Sequence, residues 1–223
     1  MKNTLAAISI LIASASTAFS ASLEINGGLL GSIPGSSQAT TPNNDVLDYF
    51  TGKTGSRVAG YYGSELRLTE PANLRVELLG AEAAMINSFV WNDTDVLFAG
   101  QNDSATGSDV IFSAKALEVF LNESLLPFSF VNGNGDSVAN SIADNTLDGV
   151  NFFATFAENG RGRDRTGDSV VLFFDDTGQY PNADYDDLVV RISVDDGLTS
   201  VPLPAGALLL LSALGILAMR RKT

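Results

Sequence analysis

The sequence of 223 residues contains neither cysteine nor histidine. Without a thiol the chain cannot use thiolate catalysis or cysteine metal ligands, although an exported domain of this size can fold without disulfides. Because it has no imidazole, the chain cannot use a Ser-His-Asp triad or a His-ligated zinc ion, and it has no histidine to act as a general base near neutral pH. Carboxylate chemistry, such as glycoside hydrolysis by paired Asp or Glu, remains possible.

Cations are also scarce, since 13 Lys and Arg stand against 26 Asp and Glu, for a formal net charge of −13. Lys2, Arg220, Arg221 and Lys222 lie near the termini, so the rest of the chain is more acidic still. Such a charge repels nucleic acid and anionic lipid, which makes both poor partners. It indicates either affinity for divalent cations or simple solubility in salty water.

The first 20 residues have the form of a secretory signal peptide. Lys2 precedes an apolar stretch, Leu5–Ala13, and small side chains follow at Ala18 and Ser20. Because signal peptidase selects small residues next to its cleavage site, we expect cleavage after Ser20 and export of the chain.

The end of the chain, from residue 201 to 223, has three parts. A Pro-containing motif, Val201–Ala205, precedes an apolar run and a basic end formed by Arg220, Arg221 and Lys222. Short Lys/Arg-rich flanks resist translocation, so the basic end predicts a stop-transfer element on the cytoplasmic side. The apolar run spans about 22 Å as a helix, which is short against a hydrocarbon core of about 30 Å.

This tail resembles the VPLPA-type C-terminal sorting signals of Gram-negative bacteria, relatives of the PEP-type signals handled by exosortase-like membrane proteases. The resemblance implies removal or replacement of the transmembrane helix during sorting to the outer surface or extracellular matrix, after a transient stay in the inner membrane. The alternatives are a plain single-pass anchor and a eukaryotic lipid-anchor signal, which the basic end fits less well. The residues implied in recognition are Val201, Pro202, Leu203, Pro204 and Ala205.

Between the two ends, apolar residues follow the period of a β-strand, most strictly over Asn73–Leu78. Clusters of Gly, Asn and Asp separate this segment from further short apolar runs, and crossover helices are missing from the pattern. The sequence predicts an all-β fold, an antiparallel β-sandwich of jelly-roll or Greek-key type. The other predicted strands are Met85–Trp91, Asp95–Ala99, Val110–Ala114, Leu117–Leu121, Phe128–Val131, Val150–Phe156, Ser169–Phe174 and Leu188–Val194.

The predicted organisation has four parts: a signal peptide (1–20), a loop-rich N-terminal segment of the core (21–58), a β-sandwich domain (59–198) and the sorting signal (201–223). The loop prediction rests on a Gly/Ser/Pro/Thr-rich composition from Asn26 to Thr54. Ala81–Ala84 and Ala143–Leu147 are short helix-like patches.

Aromatic residues lie in or beside the predicted strands, where core packing is their usual role. An exposed row of them would instead bind the faces of pyranose rings. Trp91, the single tryptophan, stands beside a turn and is the best candidate for exposure, although core packing is the expectation for it too.

The densest polar chemistry lies in Ser169–Val194, where two apolar strands flank an Asp-rich insert. Like charges at this density need solvent or a bridging cation, and Ca²⁺ takes about six to eight oxygen ligands. An EF-hand is excluded, because counting from Asn182 puts Asp187 and Ser193 where Gly and Glu are required. The candidate metal ligands are Asp175, Asp176, Asn182, Asp184, Asp186 and Asp187.

The same segment resembles the closing hairpin of a bacterial surface domain of unknown function, in Phe174-Asp175-Asp176 and in Asp184-Tyr185-Asp186-Asp187 before a Val-rich strand. Asp175 stands where Glu is usual, and Asp186 where Asn is usual. The resemblance implies an exported β-sandwich without established catalysis. Two interpretations of the acidic residues stay open: a Ca²⁺ site, and a solvated turn that prevents edge-to-edge strand pairing.

Arg161, Arg163 and Arg165 form a basic cluster just before this hairpin. They are candidates for binding an anionic polysaccharide or for pairing with the acidic hairpin, and solvated loop charges are the simpler interpretation.

The sequence favours a non-catalytic structural or adhesive protein of the bacterial envelope, matrix or biofilm, processed by an exosortase-type protease and stabilised by Ca²⁺. A carbohydrate-binding module is an alternative and would present a groove lined by exposed aromatics to extracellular polysaccharide. A carboxylate-dependent glycan-active enzyme on a jelly roll is another, and needs two acidic residues about 5 to 10 Å apart across a groove.

Overall fold

The alternation of apolar and polar residues over Asn73–Leu78 produces the strand that it predicts. In the computed structural model Leu74, Val76 and Leu78 are buried, whereas Arg75 and Glu77 are only partly buried, as expected for opposite faces of one strand. The structure describes residues 21–34, 57–81, 83, 85–93, 95–100, 116–122, 124–156, 162–178 and 185–195.

Strands form at every predicted segment within these described residues, and they contain no helix, so the all-β prediction is confirmed. The strands are β1 (Leu23–Pro34), β2 (Arg57–Leu68), β3 (Ala72–Gly80), β4 (Asn87–Trp91), β5 (Asp95–Gly100), β6 (Ala116–Leu121), β7 (Phe128–Val131), β8 (Ser137–Ala139), β9 (Asn151–Thr155), β10 (Thr166–Gly167), β11 (Ser169–Asp175) and β12 (Leu188–Val194).

The described strands form two sheets in which neighbours pair antiparallel. The larger, 8-stranded sheet has the order β10-β1-β2-β9-β11-β12-β3-β6, and the 4-stranded sheet has the order β5-β4-β7-β8. The β11–β12 hairpin lies inside the large sheet, between β9 and β3. It pairs from Ser169↔Ser193 to Phe174↔Leu188.

Aromatic side chains of the two sheets meet in one core. Phe130 of β7 stacks on Phe174 of β11 with ring centroids 4.8 Å apart, and Phe128 lies 5.5 Å from Phe152 of β9. Trp91 is buried in the same cluster, as expected. Each fully buried ring of this size contributes roughly 1.5–3 kcal/mol to the free energy of unfolding, so the contact between the sheets is a major source of stability.

The large sheet also buries side chains on its other face. Phe153 of β9 and Phe173 of β11 alternate with the core residues beside them and belong to a second apolar cluster with Tyr62 and Tyr185. The two central strands are therefore buried on both faces, which explains their nearly continuous apolar sequence.

An asparagine side chain completes the hydrogen bonding between β2 and β9, which pair directly only over residues 61–62 and 153–154. Beyond that point Asn145 Nδ2 donates to the carbonyls of Ser64 (2.8 Å) and Phe152 (3.1 Å), and its Oδ1 accepts from the Phe152 N–H (2.9 Å). The amide thus acts as a piece of strand backbone and satisfies buried main-chain groups.

Asn140 joins the small sheet to the large sheet in the same way. This buried residue follows β8; its Nδ2 donates to the carbonyls of Leu66 (2.7 Å) and Leu126 (2.8 Å), and its Oδ1 accepts from the Leu66 N–H (2.7 Å). Leu66 belongs to β2, so the link crosses between the sheets.

The prediction of a loop-rich segment at 21–58 is wrong over β1. This strand pairs along its length with β2, from Leu23↔Leu68 to Pro34↔Arg57. Gly27 and Gly28 adopt φ of 67° and 75°, a conformation that glycine reaches without strain, so a Gly-rich sequence continues through the strand.

The helix-like patch at Ala143–Leu147 is a turn, in which the Asn145 N–H donates to the Ser141 carbonyl at 2.8 Å. Ala21–Asp195 forms one compact unit. In the described residues there is no helix with the length and hydropathy needed to cross a membrane. The signal peptide, with Ala18 and Ser20, the predicted strand Val110–Ala114 and the sorting signal, including Arg220, Arg221 and Lys222, lie outside these residues.

We expect Asn140→Ala to lower the free energy of unfolding by about 2–4 kcal/mol, because three hydrogen bonds are lost and the Leu66 N–H is left buried without an acceptor. The matched variant Asn134→Ala removes an exposed amide and should change the free energy of unfolding by less than about 0.5 kcal/mol. Urea denaturation measures both values. Equal effects of the two variants would contradict the role given to Asn140.

Candidate metal centre

Pairing of β11 with β12 brings together acidic residues on the two sides of the hairpin. Asp175 ends β11, Asp176 follows it, and Asp187 directly precedes β12, whose Leu188 pairs with Phe174. All three aspartates are buried, and one carboxylate oxygen of each lies within 4.8 Å of the others. Such a group of oxygens could hold a metal ion.

The two carboxylate oxygens of Asp175, a fully buried residue, have different surroundings. Oδ1 accepts hydrogen bonds from the Thr177 N–H (3.0 Å), the Thr177 hydroxyl (2.9 Å) and the Gly178 N–H (3.1 Å). Oδ2 is buried and has no hydrogen-bond partner. Burial raises the pKa of the Asp175 carboxyl; the three hydrogen bonds oppose the rise, and the charge of Asp176 adds to it.

Asp176 is held by groups from three parts of the fold. Its N–H donates to Asp187 Oδ2 at 2.8 Å, its Oδ2 accepts from Asn87 Nδ2 at 2.9 Å, and its carbonyl accepts from Asn132 Nδ2 at 3.0 Å. Asn87 begins β4 and Asn132 follows β7, so both belong to the small sheet. The acidic cluster is therefore fixed from outside its own hairpin.

Asn87 was missed as a site residue by sequence reasoning. It is fully buried, and its Nδ2 also lies 3.4 Å from the Asp187 carbonyl, so the carboxamide points into the acidic cluster. Its Oδ1 is buried without a hydrogen-bond partner. A polar residue inside the apolar run Met85–Trp91 was the one signal that pointed to it.

The β7–β8 turn forms a polar wall next to Asp176. Asn132 Oδ1 accepts from the N–H groups of Asn134 (3.0 Å) and Asp136 (2.9 Å), and its Nδ2 lies 3.2 Å from Asp136 Oδ2. An open cleft of about 480 Å³ lies against this wall. Its lining residues are Met85, Asn132, Asn134, Asp136, Gly149, Val150, Asp176 and Thr177.

The turn after Asp175 packs directly on the backbone of Gly149. Gly178 has a φ of 67°, and a Cβ at this position would lie 2.2 Å from Gly149 backbone atoms. Only glycine fits both the conformation and the space. The Oδ1 hydrogen bonds of Asp175 thus depend on a turn that tolerates no side chain.

The predicted metal ligands separate into three groups. Asp175, Asp176 and Asp187 come together, whereas Asn182 and Asp184 lie outside the described residues. Asp186 is fully buried, but it is not one of the three residues whose carboxylate oxygens lie within 4.8 Å of one another.

Arg165 of the predicted basic cluster is fixed on the first two strands. Its Nη1 donates to the carbonyls of Ile25 (3.2 Å) and Gly27 (2.6 Å), and its guanidinium lies 4.2 Å from the centre of the Tyr61 ring. The Tyr61 hydroxyl donates to the Arg163 carbonyl. Arg161 lies outside the described residues. Arg165 is therefore a structural contact of the first two strands.

Comparison with known proteins found no match among protein-family models, curated proteins or solved structures.

We expect the protein to lose stability in a chelator as the pH rises from about 4 towards neutral, in part through Asp175. The raised pKa of Asp175 means that the folded state holds this proton more tightly than the unfolded chain. Its contribution is complete below its ordinary pKa and is lost as the pH rises through the folded value. Asp175→Asn should show a flatter pH dependence in thermal melts. A curve parallel to that of the native chain would contradict this.

Proposed function

We propose that the chain is an exported, surface-sorted, non-catalytic protein with a structural or adhesive role in the bacterial envelope or extracellular matrix, and that Ca²⁺ stabilises its β-sandwich. The buried cluster of Asp175, Asp176 and Asp187 is the observation that carries this proposal. Buried carboxylates cost several kcal/mol each unless charges or hydrogen bonds compensate them. None of the described ion pairs involves Asp175 or Asp176, so a bound cation is the natural compensation.

Ca²⁺ is the cation that we propose for this cluster. It takes about six to eight oxygen ligands in a flexible geometry, whereas Mg²⁺ demands nearly ideal octahedral geometry and is seldom bound by protein oxygens alone. A group of carboxylates from two sides of a hairpin suits the more flexible requirement. Ca²⁺ also accepts neutral oxygens, and the buried carboxamide of Asn87, which contacts Asp176, has an oxygen without a hydrogen-bond partner.

A β-sandwich of Greek-key or jelly-roll type is the architecture that we infer for the domain. The core shared by Phe130 and Phe174 supports face-to-face packing of the two sheets. The order of the large sheet, in which β2 and β3 flank β9, β11 and β12, supports connections that cross between strands far apart in sequence.

The two ends of the sequence support the proposed export and surface sorting. A signal peptide over 1–20 directs export, and Val201–Ala205 with the basic end at Arg220, Arg221 and Lys222 directs transient membrane insertion and processing by an exosortase-type protease. The sequence contains neither His nor Cys, which supports a role without catalysis.

Saturating Ca²⁺ should raise the melting temperature over that in chelator by about 5–10 °C, since a ligand at 100 times its Kd adds about 2.7 kcal/mol. Asp187→Asn should abolish most of this shift, because it removes one charged oxygen of the cluster. Asp93→Asn is the control, since Asp93 is exposed and its φ of 59° also suits Asn. Identical melts of the native chain with and without Ca²⁺ would remove the proposed Ca²⁺ site.

Replacing Pro202 and Pro204 together by Ala should leave the full-length chain in the inner membrane, because the helix and its basic flank remain while the recognition motif is lost. Pro71→Ala is the control, since Pro71 is exposed and lies outside the motif. Fractionation and mass spectrometry of the C-terminus measure the result. If the native chain at the outer surface still carried residues 206–223, the result would favour a permanent anchor over a cleaved signal.

A further inference from the structure

The acidic cluster and the open cleft share a residue. Asp176 supplies a carboxylate oxygen to the cluster and also lines the cleft. A cation bound to Asp176 would thus lie beside a cavity of about 480 Å³, a volume within the usual range of about 300–1,000 Å³ for small-ligand sites.

Two buried oxygens of residues next to Asp176 support a bound cation in the cluster. Asp175 Oδ2 and Asn87 Oδ1 have no hydrogen-bond partner, although both residues are fully buried. Asn87 is not part of the acidic cluster, yet its carboxamide is held against Asp176 and Asp187. Buried polar atoms are nearly always satisfied, and a cation is one way to satisfy a carboxylate oxygen such as Asp175 Oδ2.

The bound ion would keep coordination positions for a ligand in the cleft. The cluster brings together one oxygen from each of three carboxylates, which is fewer than the six to eight oxygens that Ca²⁺ takes. Because Asp176 belongs to both the cluster and the cleft lining, a molecule in the cleft lies next to the proposed ion site. Two adjacent hydroxyl groups can replace two coordinated waters there.

The lining of the cleft selects the charge and the polarity of its ligand. Asn134 and Thr177 are exposed and offer donors and acceptors, and Asp136 adds a carboxylate. Hydroxyl groups match such a mixture because each both donates and accepts. A polyanion would meet the negative field of a chain with a net charge of −13, whereas a neutral ligand would not.

We propose that the cleft binds a neutral saccharide through the cation, with two adjacent hydroxyls completing the coordination of the ion and further hydroxyls bonding to Asn134 and Asp136. This inference rests on the proposed Ca²⁺ site and names the ligand class of the same site. The adhesive role of the protein is then recognition of a neutral surface or matrix glycan.

A glycine in the cleft allows saccharide binding to be tested separately from Ca²⁺ binding. Gly149 lines the cleft; a Cβ at this position would meet no atom within 4 Å, and its φ is not left-handed. Gly149→Leu should therefore fill the cleft while leaving the three aspartates and their turn in place. Asn134→Ala, at an exposed side chain, is the second cleft variant.

The experiment measures binding of the full chain to neutral oligosaccharides of mannose, galactose and glucose, with oligogalacturonate as the anionic comparison, in Ca²⁺ and in chelator. We expect a neutral oligosaccharide to bind in Ca²⁺ alone. Gly149→Leu should weaken that binding by at least about tenfold, and Asn134→Ala by a smaller factor. Both variants should keep the Ca²⁺-dependent melting shift of the native chain.

Each other result overturns the inference in a different way. A melting shift with Ca²⁺ but no bound oligosaccharide, or binding of oligogalacturonate alone, overturns the saccharide site and leaves the Ca²⁺ site standing. Binding that survives chelator or Gly149→Leu places the saccharide elsewhere. A native chain without any melting shift in Ca²⁺ removes the proposed site and this inference together.

Discussion

The antiparallel pairing of β11 with β12 is the interaction on which both the core and the acidic cluster depend. Val171 and Phe173 face one apolar cluster, and Leu172 and Phe174 face the other. Because β11 is buried on both faces, a register shift of one residue would exchange the side chains that pack into the two clusters. The same slip would move Asp187 away from Asp176. Apolar packing thus fixes the register, and the register fixes the distances between the carboxylates.

The position of the cluster explains how acidic residues come to be buried. Asp175 and Asp176 continue directly from a fully buried strand, and the small sheet covers them with Asn87 and Asn132. Those amides and the Thr177 turn satisfy several oxygens, but they leave Asp175 Oδ2 without a partner. The strain that remains is electrostatic, and it is of the kind that a bound cation relieves.

Residue pattern predicted most of the strands, because period-two alternation and turn residues are local signals. The pattern did not predict β1, because this strand is rich in glycine and forms by pairing with β2. It also did not identify the buried amides of Asn87, Asn140 and Asn145. Their hydrogen bonds mostly join residues far apart in sequence, which leaves no local pattern. The sequence also grouped Asp186 with the other aspartates of the insert, whereas residues 185–187 form a turn and Asp186 is not one of the three clustered carboxylates.

The contacts of Asp176 decide what an ion at this site would stabilise. In an isolated calcium loop the ligands belong to one short segment, and the ion orders that segment. Here Asn87 and Asn132 of the small sheet hold Asp176 of the large sheet, beside the stacked rings of Phe130 and Phe174. Moving the sheets apart would break these amide contacts and expose the carboxylates together. An ion in the cluster would therefore stabilise the packing of one sheet on the other, and its removal would weaken the whole unit from Ala21 to Asp195.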